Sequence, residues 1–349
     1  MSSGSSSHAR DDGCGYDYSE DSVVNSRGMR LFTCTWMPIN SKPPRGVVCL
    51  CHGYAVECSI TMRGTAERLA RAGYAVHGLD YEGHGHSDGL PGYVPDFDAL
   101  VRDCDAFFAA IAASFPSRRF LLGESMGGAV ALLLHRMRPD FWTGAILVAP
   151  MCKIAEEMRP HPVVLSVLKA MTSIIPTWRV VPTNDVIDLA YRTREKRDEI
   201  RGNPLCYKGR PRLKTAYELL RVSLLIESTI LPQVSLPFLV VHGAVDRVTD
   251  PSISDLLYQM ASSHDKTFNL YPGMWHALTS GELPNNIDAV FRDIITWLHR
   301  RTSFGAQQQD GHSLGSCSSA VKDVINFSTA SQYSLSPTNN AWSPAPPAM

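Results

Sequence analysis

The chain has 349 residues, 44% of them hydrophobic and 19% charged, with a formal net charge of −1. That composition suits a soluble globular protein with a sizeable core. The near-neutral balance gives no global electrostatic argument for nucleic acid or an anionic membrane as partner. No long apolar run free of proline and charge occurs, so no spanning helix is expected.

The first stretch, "MSSGSSSHARDDGCGYDY", has no apolar segment after it and does not read as a secretory signal. Residues 1–21 are rich in Ser, Gly and Asp and read as a disordered segment. From residue 22 short apolar runs alternate with helical patterns. Strands are expected at 29–37, 46–53, 74–80, 119–125, 144–150, 237–243 and 266–272, and helices at about 59–72, 97–115, 126–138, 251–262 and 285–301. The runs from 46 onward are Val/Leu-rich and barely alternate, as buried parallel strands do when helices cover both faces. This rhythm predicts an α/β fold with a mostly parallel, doubly wound sheet. Residues 22–150 and 236–302 would form the core in two parts. Residues 151–235 hold no good strand and read as a helical cap, inserted where α/β sheets bind ligands. Residues 303–349 are Ser/Gln/Asn/Pro-rich and read as a disordered tail. Nine cysteines without a CxxC pair, several inside apolar strands, read as reduced core thiols of a cytoplasmic protein.

The chemistry centres on "RFLLGESMGGAVALLLH". Gly123-Glu124-Ser125-Met126-Gly127 matches G-x-S-x-G, with an apolar strand before it and a helix after it. Glycines on both sides permit a sharp turn that exposes the serine hydroxyl, which suits a nucleophile. Such a serine needs a base, an orienting acid and an oxyanion hole. "PFLVVHGAVDRVTDP" puts Asp246 just past a strand end, and "LYPGMWHALTSGELP" puts His276 in the loop after the last strand. Their rivals fit less well. Asp250 precedes Pro251 and a helix, as an N-cap would. His264 precedes the last strand, and His299 lies in the final helix. After the strand ending in His52-Gly53, the backbone N–H of Tyr54 can join that of Met126 as the oxyanion donors.

Two further clusters read as structural. Asp80, His84 and Ser87, in "LDYEGHGHSDG", have no metal-ligand spacing and suggest an ordered loop beside the site. His135 and Asp140 spell H-x-x-x-x-D, but His135 lies far down the helix that starts at Ser125.

Together "HGY…ECS", "GYAVHGLDYEGHGHSDG", "GESMGGAVALLLH", "VVHGAVDRVTDP" and "YPGMWHAL" resemble the monoacylglycerol lipase and lysophospholipase branch of the α/β-hydrolases, with plant caffeoylshikimate-esterase-like members nearest. The resemblance spans about residues 22–302. It implies Ser125 as nucleophile, Asp246 and His276 as its partners, and Tyr54 and Met126 as oxyanion donors. Two positions depart from the plant pattern: Ala55-Val56 replaces a Gly-Met-like pair, and Ala277 replaces Gly after the histidine.

The expected activity is hydrolysis of monoacylglycerol or lysophospholipid esters through an acyl-enzyme, with no cofactor and no metal. The partner is a small ester substrate, a lipid, with peripheral membrane contact through the cap and no nucleic acid. The rivals are a caffeoylshikimate-type phenolic esterase, an acyltransferase using the same serine, and a non-turnover ligand receptor of the same fold. The cap stretch "PVVLSVLKAMTSIIPTW" carries one charge, Lys169, and an apolar face at helical spacing that includes Leu165, Val167, Leu168, Met171, Ile174 and Ile175. It is too short and broken to span a bilayer.

Overall fold

The computed structural model describes residues 8–9, 15–115, 118–152, 162–179 and 185–303. Six short apolar runs form a parallel block: β4 (Val47–Cys51), β5 (Ala75–Leu79), β6 (Arg119–Glu124), β7 (Gly144–Val148), β8 (Phe238–Gly243) and β9 (Lys266–Tyr271). Before them come β1 (His8–Ala9), β2 (Tyr16–Val24) and β3 (Arg30–Pro38), joined in antiparallel fashion. The order across the sheet is β1-β2-β3-β5-β4-β6-β7-β8-β9.

Alternate side chains of each central strand enter opposite layers. Val47, Cys49 and Cys51 of β4 join the core under α2 (Phe97–Ala112), α3 (Met126–Met137) and the later helix α8 (Pro251–Met260). Val48 and Leu50 join the core under α1 (Arg63–Arg71) and α9 (Pro284–Ser303). Both faces are therefore dry, which explains the near-continuous hydrophobicity of these strands.

One expectation fails. The segment through residue 21 is not wholly unstructured, because Tyr16–Val24 is a nine-residue strand. It pairs with β3 from Tyr16↔Pro38 to Val24↔Arg30. The sequence YDYSEDSVV is acidic and weakly apolar, so local propensity argues against a strand. Tertiary partners supply what propensity lacks. The Tyr18 ring lies 5.0 Å from that of Trp36, and Arg63 and Arg71 sit over the Tyr18 and Tyr16 rings. At the other end, α9 runs to Ser303, so the expected tail lies outside the described residues apart from that one position.

The insert between β7 and β8 is helical where described: α4 (Pro162–Ile174), α5 (Val186–Ala190), α6 (Arg194–Gly202) and α7 (Leu213–Leu225), the last continuing as a π-turn to Ile230. Buried polar contacts tie it to the core. Thr215 Oγ1 accepts from the Val94 N–H (2.9 Å), and the Glu218 carboxylate accepts from the Phe97 N–H (3.2 Å). Near the sheet edge, the Tyr207 N–H donates to the Ala55 carbonyl (2.8 Å), and Asn203 Nδ2 donates to Glu57 (3.1 Å).

Candidate active site

In a parallel sheet every strand ends at the same edge, so residues just past β4, β6, β8 and β9 meet there. Ser125 stands between β6 and α3 with φ 55° and ψ −117°, a left-handed backbone rare for a side-chain-bearing residue. Three backbone hydrogen bonds hold it. Its N–H donates to the Val148 carbonyl (3.0 Å), and its carbonyl accepts from Gly128 (2.9 Å) and Met151 (2.9 Å). The neighbouring glycines answer a space demand: a Cβ on Gly123 would strike the carbonyl of Gly127, and one on Gly127 would strike the carbonyl of Cys51. This is the strained turn that the G-x-S-x-G pattern predicts, with Ser125 half-buried.

Asp246 and His276 come together as expected. His276 Nδ1 lies 2.7 Å from Asp246 Oδ2. Oδ2 also lies 3.0 Å from His242 Nε2 and 2.9 Å from Thr249 Oγ1. Oδ1 accepts the N–H groups of Val248 (2.7 Å) and Thr249 (3.1 Å). Burial alone would raise the carboxyl's pKa. Attraction to His276 and hydrogen bonds from both histidines outweigh it and hold Asp246 well below the usual carboxylate range. Because the carboxylate can only accept, His276 Nδ1 carries the proton, which leaves Nε2 free to act as a base.

His276 and Ser125 are linked through shared neighbours. Glu124, next to Ser125, accepts from Thr279 Oγ1 (2.8 Å), three residues after His276. Burial pushes the Glu124 carboxyl up in pKa, opposed by hydrogen bonds from Thr279 and Thr65 and by attraction to His276. Thr249 Oγ1 lies 3.2 Å from both His276 Nδ1 and the carbonyl of Ala149, just past β7. Ser125 Oγ itself makes no hydrogen bond among the described residues. Catalytic bonds often tighten only when substrate binds.

The loop after β4 is built to face the serine. A Cβ on Gly53 would sit 3.6 Å from Ser125 Cβ, so the chain carrying Tyr54 passes beside Ser125. Among the described residues, the N–H groups of Tyr54 and Met126 donate no hydrogen bond, as free oxyanion donors require. His52 shapes this turn. Its Nε2 accepts the Tyr81 N–H (3.1 Å), so its Nδ1 carries the proton to the Gly53 carbonyl (2.7 Å). The buried Glu57 carboxylate gathers Ser59, Ile60, Thr61 and Asn203, fixing the far end of the loop.

The rival residues separate as the sequence predicts. Asp250 is the exposed N-cap of α8, accepting the Ser252 N–H (2.9 Å). His264 precedes β9 at the opposite edge, and His299 lies in α9 with Nε2 3.4 Å from the Ala72 carbonyl. Asp80 accepts from Cys58 (2.9 Å) and His86 (3.0 Å), and Ser87 Oγ donates to the Asp80 carbonyl (2.6 Å), so that cluster is an ordered turn. His135 accepts from the Ser235 N–H (3.1 Å), a structural tie at the end of the insert. A cavity of about 290 Å³ lies between the 83–91 turn and residues 204–209, and its lining includes neither Ser125 nor His276. Among the described residues no group of three metal-ligating side chains occurs.

Sequence reasoning missed His242, Thr249 and Glu124 as members of the site. His242 closes a wholly apolar strand, and a histidine so placed could have flagged a buried partner for the nearby aspartate.

Three comparisons bear on this geometry. The family described as "Serine aminopeptidase, S33" matches residues 42–283. Caffeoylshikimate esterase of Arabidopsis thaliana is 35% identical over 81% of this chain and 88% of its own. Monoglyceride lipase of Homo sapiens is 31% identical over 80% of this chain and 90% of its own. Among solved structures, a soluble variant of the Saccharomyces cerevisiae monoglyceride lipase, in complex with a substrate analog, superposes with a TM-score of 0.69 at 21% identity. It covers 79% of this chain and 94% of that one, and shows the shared fold.

Proposed function

The chain belongs to the serine aminopeptidase S33 family of α/β-hydrolases, and from that premise we propose how it works as a serine hydrolase of monoacylglycerol-type esters. The observation that carries the reading is the strained serine turn at the sheet edge where His276, bonded to Asp246, also stands. Ser125 Oγ attacks the ester carbonyl carbon while His276 Nε2 takes its proton. The developing oxyanion is met by the N–H groups of Tyr54 and Met126. The tetrahedral intermediate collapses, the C–O bond to the alcohol breaks, and His276 returns the proton to the leaving oxygen. Water then attacks the acyl-enzyme with His276 again as base, releasing the fatty acid and regenerating Ser125. Ser125→Ala is expected to lower turnover by a factor on the order of 10⁴ or more with folding intact. A fluorophosphonate probe should label the wild type and not the variant. Turnover retained by Ser125→Ala would refute the mechanism.

Monoacylglycerols are the principal substrates in this reading, and the cap brings the enzyme to them. On α4 and just beyond it, Val167, Ile174 and Trp178 are exposed, Ile174 at 80%. Leu165, Leu168, Met171 and Ile175 on the same segment are half-buried. One side of the segment therefore packs inward while the other offers apolar side chains to a lipid surface. No helix among the described residues is long and apolar enough to cross a membrane, so the contact is peripheral. Ile174→Glu should weaken liposome binding and long-chain monoacylglycerol turnover while sparing a soluble short-chain aryl ester. Equal losses on both substrates would remove the membrane role. Caffeoylshikimate belongs in the same substrate panel, since a relative carries that name. A cytoplasmic location agrees with seven described cysteines that are all buried and unbridged.

A further inference from the structure

Asp246 lies between two histidines, and only His276 is needed as the base. The second, His242, is fully buried at the end of β8, and so is Ser254 on α8. His242 Nε2 faces Asp246 Oδ2 (3.0 Å) and the Thr249 carbonyl (3.1 Å). Neither oxygen can donate, so Nε2 carries the proton. His242 Nδ1 lies 2.7 Å from Ser254 Oγ, whose hydroxyl fits there as a donor. The ring is therefore fixed in tautomer and orientation by Ser254 on one side and directed at the catalytic carboxylate on the other.

The need for such a donor follows from how Asp246 is held. Both backbone donors, Val248 and Thr249, bind Oδ1. Apart from the two histidines, Oδ2 meets only the Thr249 hydroxyl among the described residues, and that hydroxyl's single proton is also within reach of the Ala149 carbonyl (3.2 Å). Without His242 the carboxylate keeps its Oδ1 anchor but is free to pivot about it. Oδ2 is the oxygen that orients His276.

We propose that His242 is a positioning residue for the hydrolysis: its Nε2–H, set by Ser254, fixes Asp246 Oδ2 where it holds His276 in line with Ser125. The inference rests on the Ser125–His276–Asp246 reading above. It makes the working unit a relay of five side chains, Ser254, His242, Asp246, His276 and Ser125, in which the first two never touch substrate.

The test compares His242→Gln, His242→Asn and Ser254→Ala on a soluble aryl ester. Glutamine places an amide N–H near the position of Nε2, within reach of Asp246. Asparagine places its amide near Nδ1, where it meets Ser254 and falls short of Asp246. His242→Gln should keep kcat within a few-fold of wild type. His242→Asn should lower kcat on the order of 10²-fold with KM nearly unchanged, since a small displacement of a catalytic group costs that much. Fluorophosphonate labelling should slow in parallel. The downfield proton resonance of the His276–Asp246 bridge should persist in the Gln variant and broaden or move in the Asn variant. Ser254→Ala is the milder variant, and should lower kcat several-fold even if His242→Asn does not fold. Equal losses in Gln and Asn would reduce His242 to a packing residue, and wild-type kcat in Asn or in Ser254→Ala would overturn the proposal. Activity surviving in Ser125→Ala would instead overturn the mechanism on which it stands.

Discussion

Replacing Asp246 by asparagine keeps the side chain's shape and removes one acceptor. From the described residues the wild-type carboxylate accepts five hydrogen bonds, three at Oδ2 and two at Oδ1. Asparagine has one oxygen to offer. If it stays at the Oδ1 position to serve Val248 and Thr249, its NH₂ group faces the N–H groups of His242 and His276. His276 then has to present a bare Nδ1, and its proton moves to Nε2, the atom that must accept the proton of Ser125. If the amide flips, two buried backbone donors lose their acceptor instead. Either way the base is disabled, and kcat should fall by about 10⁴, the loss a wrong tautomer causes in serine proteases. Stability should change far less. Hydrogen bonds to a buried charge are worth about 1.5–3 kcal/mol each, and relief of the desolvation of a buried carboxylate offsets part of that loss. A net cost of about 2 kcal/mol, read as a Tm lower by roughly 3–4 °C, is expected. The control is Asp250→Asn at the exposed N-cap of α8, where Asp and Asn serve about equally well. It should leave kcat unchanged and stability within about 0.5 kcal/mol. Steady-state kinetics on a soluble ester, with melting curves on the same preparations, decide the matter. An active Asp246→Asn beside an inactive Asp250→Asn would refute the assignment of the acid.

Two other outcomes follow from the same region. Asp246 is held below its unfolded carboxyl value of about 3.9, so its ionised form stabilises the fold above that value, and the contribution is lost as pH falls through and below it. The Tm gap between wild type and Asp246→Asn should therefore narrow steadily below about pH 5, and a gap that widens on acidification would contradict the sign. Ala55, in the loop after β4, has φ 67°. Relief of that strain by glycine is worth about 1–2 kcal/mol and the added freedom of the unfolded chain costs about 0.4–1 kcal/mol, so Ala55→Gly should raise Tm by a degree or two, and a lower Tm would show that the alanine methyl packs usefully.

The parallel block was legible because its pattern has one cause. Strands such as VVCLC and FLVVHG are buried on both faces, and nothing but a sheet covered by helices on both sides accommodates several of them in alternation. The strand Tyr16–Val24 was not legible, because its stability resides in a ladder with β3 and in arginines stacked on its tyrosines, which lie far along the chain. The same division runs through the site. Ser125 could be read because the turn that exposes it imposes glycines within two residues, so the constraint is written locally. Asp246 and His276 were singled out because each follows a strand end in the chain order this fold uses, and they meet at 2.7 Å.

Of the remaining members of the site only His242, a polar residue in the apolar strand β8, leaves a local mark, and this follows from what the others do. Ser254 and Thr249 act by hydrogen bonds to neighbouring elements, and both residue types are common in helices and turns. Glu124 occupies the free position of G-x-S-x-G, where the pattern makes no demand, yet it joins β6 to the histidine loop through Thr279. Glu57 does the same for the loop after β4, binding its own turn and, through Asn203, the helical insert. These buried carboxylates are costly unless fully paired, and here Glu57 accepts from two hydroxyls, two backbone N–H groups and an amide. The geometry of Ser125 is thus fixed by its own strand and turn. The geometry of His276, Asp246 and the loop that carries Tyr54 is fixed by polar contacts between elements, which is where, on the proposed mechanism, substitutions outside Ser125, Asp246 and His276 should change kcat without changing the fold.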